Sequence, residues 1–512
     1  MTSTNPPSAS PQSPKPNVAP RQIYRILAGQ LFDSVSRTLL KDQIITVDSD
    51  AGVILDVAPL SSVRKVEDII ATLASQSGVN IDLKSLKLDI RKLDFNDSIV
   101  LPGLVDVHVH FFLHPYSETS WDDQLTKESL AERTVRATVH ARQTLLAGFT
   151  TVRDLGTEGA FDADIGLRKC LAEPGTITLG PRYFCSTRAI ISSGSYGPRS
   201  SLYPHQEGID GVRGAEPVDG VEECVKEVRK QIGAGADWIK VYADYRYRAR
   251  QSDVSTSIAA QNASTFTTEE LSAIIKIAHA RGVKVAAHAN NAKAINNLLD
   301  LGVDSIEHGM QIYDPQTHDK ALLRKLFLAR ERTTWVPTLS AFYTLASDAQ
   351  WSGGAQVSWE RAQATFKEAL KGNGENIACG GDTGVFAHGE NALELILMRR
   401  LGARWEQVLG WATYGGWKCV RGLEWEGESG ERKLEEAEKN AFRVDGAAAR
   451  KRLEREVPFG IIRTGWAADL LVLSGKIDGT EKEFEDALLK QDRYVIKGGK
   501  LFRRDGTEIP PI

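Results

Sequence analysis

Cysteine is scarce and unpatterned in this chain. Its five cysteines (Cys170, Cys185, Cys224, Cys379 and Cys419) are scattered, odd in number and without CxxC spacing. That excludes a disulfide framework and a thiolate zinc site, and it fits a reducing compartment. Long apolar runs are also missing: no stretch approaches the roughly 18 apolar residues of a membrane span. Basic charge is not in excess. With a formal net charge of −4, nothing points to nucleic acid or an anionic membrane as partner. The first 20 residues are rich in proline and serine and hold no apolar h-region, so they read as a disordered tail and not as a secretory signal. No GxGxxG follows an early strand, which counts against an open doubly wound sheet. A cytoplasmic protein is expected, with no nucleic acid and no membrane partner.

What is present is enough for a large catalytic domain and a smaller one, since the chain runs to 512 residues. Residues 21–100 carry short strand-like runs (YRILAGQLFD, QIITVDSDAGVILDVAPL, LDFNDSIV) around a more helical insertion at about 62–84. Strand-like runs return in AADLLVLSGK and RYVIKGGKLFRRDG, within 463–512. The two ends can therefore form one small β-domain. Between them, over 101–462, the chain alternates. Candidate strands are LVDVHVH, GFTTVRDL, PRYFCSTR, DWIKVYAD, VKVAAHA, DSIEHG, TTWVPTLS and NIACGGDTG. Amphipathic stretches separate many of them, such as TTEELSAIIKIAHARG, with its N-cap placed at Thr268. Eight strands with intervening helices predict an α/β chain built as a (β/α)8 TIM barrel.

In such a barrel the chemistry sits at the C-terminal strand ends. Polar, metal-binding residue types recur at those ends. The first strand finishes in His108 and His110, and residues two apart in a strand share a face. Lys240 interrupts the apolar fourth strand. The fifth ends in His288, the sixth in His308 and the eighth in Asp382. Four imidazoles and a carboxylate suit zinc or a similar ion better than calcium or magnesium. Taken singly, each has a plainer reading: core histidines, a snorkelling lysine, a turn aspartate beside glycines. Their joint placement is what those readings do not account for. His140 and His279 fall on helical patterns, while His114, His205, His318 and His388 fall in loop-like segments.

The ordered set LPGLVDVHVH, WIKVYAD, AAHAN, IEHG, GGDTG and GIIRTGWAADLLVLSGK resembles the amidohydrolase superfamily over roughly residues 21–512. Within it, the chain resembles the branch of imidazolonepropionase-like and Xaa-Pro dipeptidase-like proteins, which includes ochratoxin-hydrolysing amidases. The resemblance implies a barrel flanked by a small β-sandwich made from both termini. It implies two divalent metal ions, taken as zinc, bound by His108, His110, Lys240, His288, His308 and Asp382, with Lys240 converted by CO2 to a bridging carbamate. Asp382 is then also the catalytic proton carrier, serving a metal-bridging hydroxide. The implied substrate is a small-molecule amide: an N-acyl amino acid or a dipeptide. Candidate substrate-binding residues are Arg199, Tyr242, Tyr245 and Arg246 for a free carboxylate, which an arginine fork suits, and Tyr196 and Asn290, at positions that in relatives commonly meet the substrate's polar end. A homo-oligomer is expected.

Two departures bear on the substrate. Many relatives carry Gly-Gly-His-Gly where this chain has Gly194-Ser195-Tyr196-Gly197, and prolidase-like relatives often carry tyrosine where it has Asn290. The missing histidine at Tyr196 counts against the alternative, a cyclic-amide hydrolase of the imidazolonepropionase type. A non-catalytic assembly protein on the same fold is expected to lose ligands, and all six positions are present. The stretch 411–462 also departs, with Trp411, Trp417 and Trp425 read as core and GESGERKLEEAEKN read as a solvated helix or loop.

Overall fold

The apolar runs become seven strands, numbered here in chain order: β1 Leu104–Val109, β2 Phe149–Asp154, β3 Arg182–Cys185, β4 Trp238–Tyr242, β5 Lys284–Ala289, β6 Ser305–His308 and β7 Thr334–Val336. The computed structural model describes residues 20–83, 86–172, 176–198, 200, 205–209, 211–246, 262–348, 354–372, 374–443 and 454–509. Nearly the whole N-terminal tail expected to be disordered lies outside the described residues, as does Arg199. Every strand residue is buried except His288 and Thr334, which are half-buried. Helices cover the outside of each strand and side chains fill the inside, which is why these strands read as continuous apolar runs.

β1, β2 and β3 pair in parallel, and so do β4, β5, β6 and β7. The Asp237 amide bonds the Cys185 carbonyl at 2.8 Å, joining β3 to the start of β4. An eighth segment, 376–383, closes the ring. Ala378 donates to Trp335 of β7 at 3.1 Å, Val107 of β1 donates to Cys379 at 2.9 Å, and Asp382 donates to His108 at 2.8 Å. This is a TIM-barrel-type α/β fold. The eighth segment is glycine-rich because it lies close to its neighbours. A Cβ on Gly380 would stand 2.6 Å from Val336 Cγ1 and 2.8 Å from His108 Cβ.

The helix Thr268–His279 corrects one sequence expectation. Its cap is Thr267, not Thr268: the Thr267 side chain accepts from Glu270 N, and the Glu270 carboxylate accepts from Thr267 N at 2.8 Å. The reciprocal box needs an acid three residues after the cap, and only Thr267 has one.

Both ends of the chain meet in one eight-stranded sheet. Its central contact sets Leu470–Leu473 antiparallel to Ile99–Pro102, the end of the long strand Leu88–Pro102. That strand passes through Gly103 directly into β1, so the sheet sits at the N-terminal end of β1, away from His108 and His110. The 62–84 insertion holds the helix Val66–Gln76, and the late charged run is the helix Gly427–Lys439, which buries only Gly430 and Ala437. Trp411, Trp417 and Trp425 are buried in the core.

Candidate metal centre and cavity

Alternation along the strands fills the barrel with polar side chains where aliphatic layers are usual. Asp106 and His108 come from β1 and His110 from the residue just after it, Arg153 from β2, Lys240 from β4, and Ser305 and Glu307 from β6. All are buried. The upper members of this stack converge at the C-terminal strand ends. The ring centroids of His108 and His110 lie 5.3 Å apart, those of His108 and His308 5.3 Å, and those of His288 and His308 4.6 Å. Asp382 Oδ1 lies 3.2 Å from His110 Nε2 and 3.4 Å from His108 Nε2. Donor atoms of His108, His308 and Asp382 all lie within 4.8 Å of one another, close enough to share one cation. His308 and Asp382 hold φ of +71° and +65°, left-handed conformations that non-glycine residues rarely adopt and that concentrate at functional sites.

One nitrogen of three of the imidazoles is already held from outside the cluster. Nδ1 of His108 meets Glu307 Oε2 at 2.8 Å, Nδ1 of His110 the Gly156 carbonyl at 2.8 Å, and Nδ1 of His308 the Thr338 hydroxyl at 2.7 Å. His288 turns Nε2 towards Asn290 at 3.4 Å and Asp244 at 4.0 Å. In His108 and His110 the opposite nitrogen, Nε2, faces Asp382, and His308 joins His108 and Asp382 in the close donor group. This division of roles is characteristic of metal-ligating histidines. The chemistry of the donor set therefore fits a transition-metal centre.

Residues 99–422 match the model of the amidohydrolase family. The chain belongs to the amidohydrolase family. Among its relatives is the ochratoxinase of Aspergillus niger, 26% identical over 515 residues, covering 93% of this chain and 92% of that one. The fold is similar to that of a Xaa-Pro dipeptidase crystallised with bound methionine, at a TM-score of 0.67 and 24% identity over 94% of this chain and 99% of that one. It is also similar to the crystal structure of Aspergillus niger ochratoxinase, at a TM-score of 0.68 and 20% identity over 95% and 97% of the two chains.

The electrostatics of this amidohydrolase site follow from burial and from Asp382. Burial takes His108 down to about 4 and His308 to about 3, and it holds His288 well below the ordinary range. Neutral rings are the form that binds metal. Burial also works downward on His110, but its hydrogen bond and charge contact with Asp382 carry it up to about 9. Burial alone would raise Asp382; the surrounding imidazoles hold it well below the usual carboxylate range. Lys240 falls to about 8, chiefly by burial, with Glu307 and Asp382 opposing.

The cluster floors a cavity of about 570 Å³. Of the predicted substrate-binding residues, Tyr196, Tyr242, Tyr245, Arg246 and Asn290 line it. Lys240 is buried at 1% exposure and lies outside the lining, its amine 5.5 Å from the Tyr242 ring centroid. None of the other six histidines lines the cavity. His114 bonds Glu118 and Glu128, His279 bonds Asp304, and His140 stacks on His388 at 4.2 Å.

Sequence reasoning missed three supporting residues. Glu307 accepts from His108, from Ser305 and, at 2.8 Å, from Arg153. Asp106 accepts from His108 N at 3.0 Å and Gly381 N at 3.2 Å, tying the first strand to the eighth segment. Glu158 lines the cavity, and burial raises its pKa. The available signal was a charged residue inside an apolar strand for the first two. Glu158, in a loop after β2, offered none.

Proposed function

We propose that this amidohydrolase is a metal-dependent hydrolase of the amide bond in N-acyl amino acids or dipeptides. One observation carries the reading: four imidazoles and a carboxylate converge under a cavity, and His108, His110 and His308 each have Nδ1 held from outside the cluster. His108, His110 and Asp382 would hold one divalent ion, His288 and His308 a second, with Lys240 between them as a carbamate. Zinc fits this nitrogen-rich set. Such a pair supplies an activated water at neutral pH and polarises a carbonyl.

The chain's own residues do the rest. Burial favours the neutral Lys240 amine, the form that adds CO2 through a new N–C bond with loss of a proton. Asp382 Oδ takes a proton from the attacking water and delivers it to the leaving amide nitrogen, which then departs as a neutral amine. Glu307, Gly156 and Thr338 fix the planes of His108, His110 and His308. Arg246, exposed at the rim, meets the carboxylate of the leaving amino acid, and the tyrosines hold the acyl side. The terminal segments, residues 21–100 with 463–512, would make a second unit beside the barrel 101–462, their one eight-stranded sheet serving as the small β-sandwich that the resemblance implies.

The test is a hydrolysis screen on the full-length protein, stripped with chelator and reloaded with zinc, manganese or cobalt. The panel holds dipeptides, N-acyl amino acids and cyclic amides. The reading expects metal-dependent release of free amino acids from linear amides. A folded, metal-loaded protein that cleaves no linear amide would refute it, and cleavage of cyclic amides alone would move the activity to that class.

A further inference from the structure

The aromatic wall of the cavity surrounds a carboxylate. Glu158 is 3% exposed and accepts from Tyr196 Oη at 2.5 Å, Trp121 Nε1 at 3.2 Å and Tyr242 Oη at 3.5 Å. All three donors are neutral. Two cations lie nearby, and neither bonds the carboxylate: Arg133 donates to the carbonyls of Phe112, Thr157 and Glu158 itself, and His110, whose charge also acts on Glu158, is held by Asp382 and the Gly156 carbonyl. Among the described residues, no lysine or arginine forms an ion pair with the Glu158 carboxylate. A buried carboxylate without a bonded counter-cation is costly and favours a cationic visitor. The backbone at Glu158 holds φ +48°, another left-handed position at a cavity wall.

The rings around it suit the same visitor. Tyr196 stacks on Tyr242 at 4.5 Å, meets Tyr245 edge-on at 5.0 Å and lies 5.3 Å from Trp121. Ring faces attract ammonium groups. The position is also right. Glu158 Oε1 and His110 Cε1 lie 3.8 Å and 3.9 Å from the point where a Cβ on Gly156 would sit, and glycine leaves that point open. In an α-aminoacyl group the nitrogen lies only about 2.5 Å from the scissile carbonyl carbon, two bonds away. A carbonyl seated on the ligand cluster would direct an α-ammonium towards the part of the cavity wall that Glu158 forms. Arg246 lines the same cavity at its exposed rim. A negative inner wall and a positive rim complement a zwitterion.

We propose that Glu158, with Tyr196, Tyr242 and Trp121, forms a subsite for the free α-ammonium of the substrate's acyl residue. The preferred substrates are then dipeptides with an unblocked N-terminus, ahead of N-acyl amino acids with a neutral acyl group. This rests on the amide-hydrolase reading above and narrows it.

The experiment compares kcat/KM of the metal-loaded, full-length protein on alanyl dipeptides of several C-terminal residues and on the matching propionyl amino acids. The two sets differ only in the amine. The wild type is expected to prefer the alanyl set by about ten- to hundred-fold, the range of a hydrogen bond to a charged group. Glu158→Gln keeps the size and an acceptor oxygen for Tyr196 and Trp121, and it should bring the ratio close to one by lowering the alanyl rate. Equal wild-type rates on both sets would overturn the inference without reference to any variant. So would a Glu158→Gln variant that lowers both sets equally, because Glu158 would then only position the tyrosines. Cleavage of neither set would overturn the amide-hydrolase reading, and this inference with it.

Discussion

Removing the Glu307 carboxylate should cost more stability than a single hydrogen bond can explain. Glu307 and Arg153 are both fully buried, and Arg153 Nη2 meets Glu307 Oε1 at 2.8 Å. The same carboxylate accepts from His108 Nδ1 and from Ser305. Burial works to raise its pKa, but Arg153 and His108 keep it ionised far below the ordinary carboxylate range. Glu307→Ala leaves the guanidinium buried with only the Val107 carbonyl, the Ser305 hydroxyl and the Trp238 ring beside it. Breaking one side of a buried pair typically costs about 3–5 kcal/mol, a large part of the roughly 5–15 kcal/mol that holds a protein folded. Removing both charges, as in Arg153→Met with Glu307→Leu, should recover much of that loss. The assay is equilibrium urea denaturation of wild type, both single variants and the double variant, read as a double-mutant cycle. A loss under about 1 kcal/mol in Glu307→Ala, or a double variant that loses the full sum of the singles, would refute the reasoning. The metal readout is separate. With its ring no longer oriented, His108 should hold metal about ten- to hundred-fold more weakly in Glu307→Gln.

Asp382→Asn should lower kcat by at least about 10²–10⁴ with little change in melting temperature, because general acid–base transfer is worth that much; wild-type turnover would remove Asp382 from the mechanism. Lys240→Ala should abolish activity, with partial recovery in short-chain carboxylic acids that supply the missing anion; near-normal turnover would show that no bridge is needed. His279 offers a pH test away from the site. Its hydrogen bond to Asp304, at 2.7 Å, raises its pKa. A raised pKa gives stability that is fully present below the unfolded value of about 6.5 and lost as pH rises through the folded value. Melting temperatures of wild type and His279→Gln should therefore differ most in acid and converge as pH rises above about 6.5; a gap that widens with pH would contradict the pairing.

The barrel was legible in the sequence because its strands are short, mostly apolar runs, several of them ending at or beside histidine or aspartate, and the helices between them carry ordinary capping and periodicity. The eighth segment read as a strand from its neighbours, yet its glycines leave it as backbone bonds to β1 and β7 with little regular ladder. Five of the ligand-type residues were legible as polar exceptions at strand ends, and Lys240 as a charge inside the apolar fourth strand. Their supports were not, because Glu307 acts across the barrel and Asp106 ties β1 to a segment some 275 residues further on. Glu307 bonds His108, 199 residues away. Glu158 is harder still: only the fold brings a loop after β2 against Tyr196 and Tyr242. The one-residue shift of the helix cap to Thr267 was decided by side-chain reciprocity, which a single threonine pair does not advertise.

The most direct measurement is anomalous diffraction at the zinc edge from crystals of the full-length protein grown with zinc. The account predicts two strong peaks among His108, His110, Lys240, His288, His308 and Asp382, with extra density on the Lys240 amine bridging them. Peaks elsewhere, or none at these six residues in a zinc-saturated crystal, would contradict it.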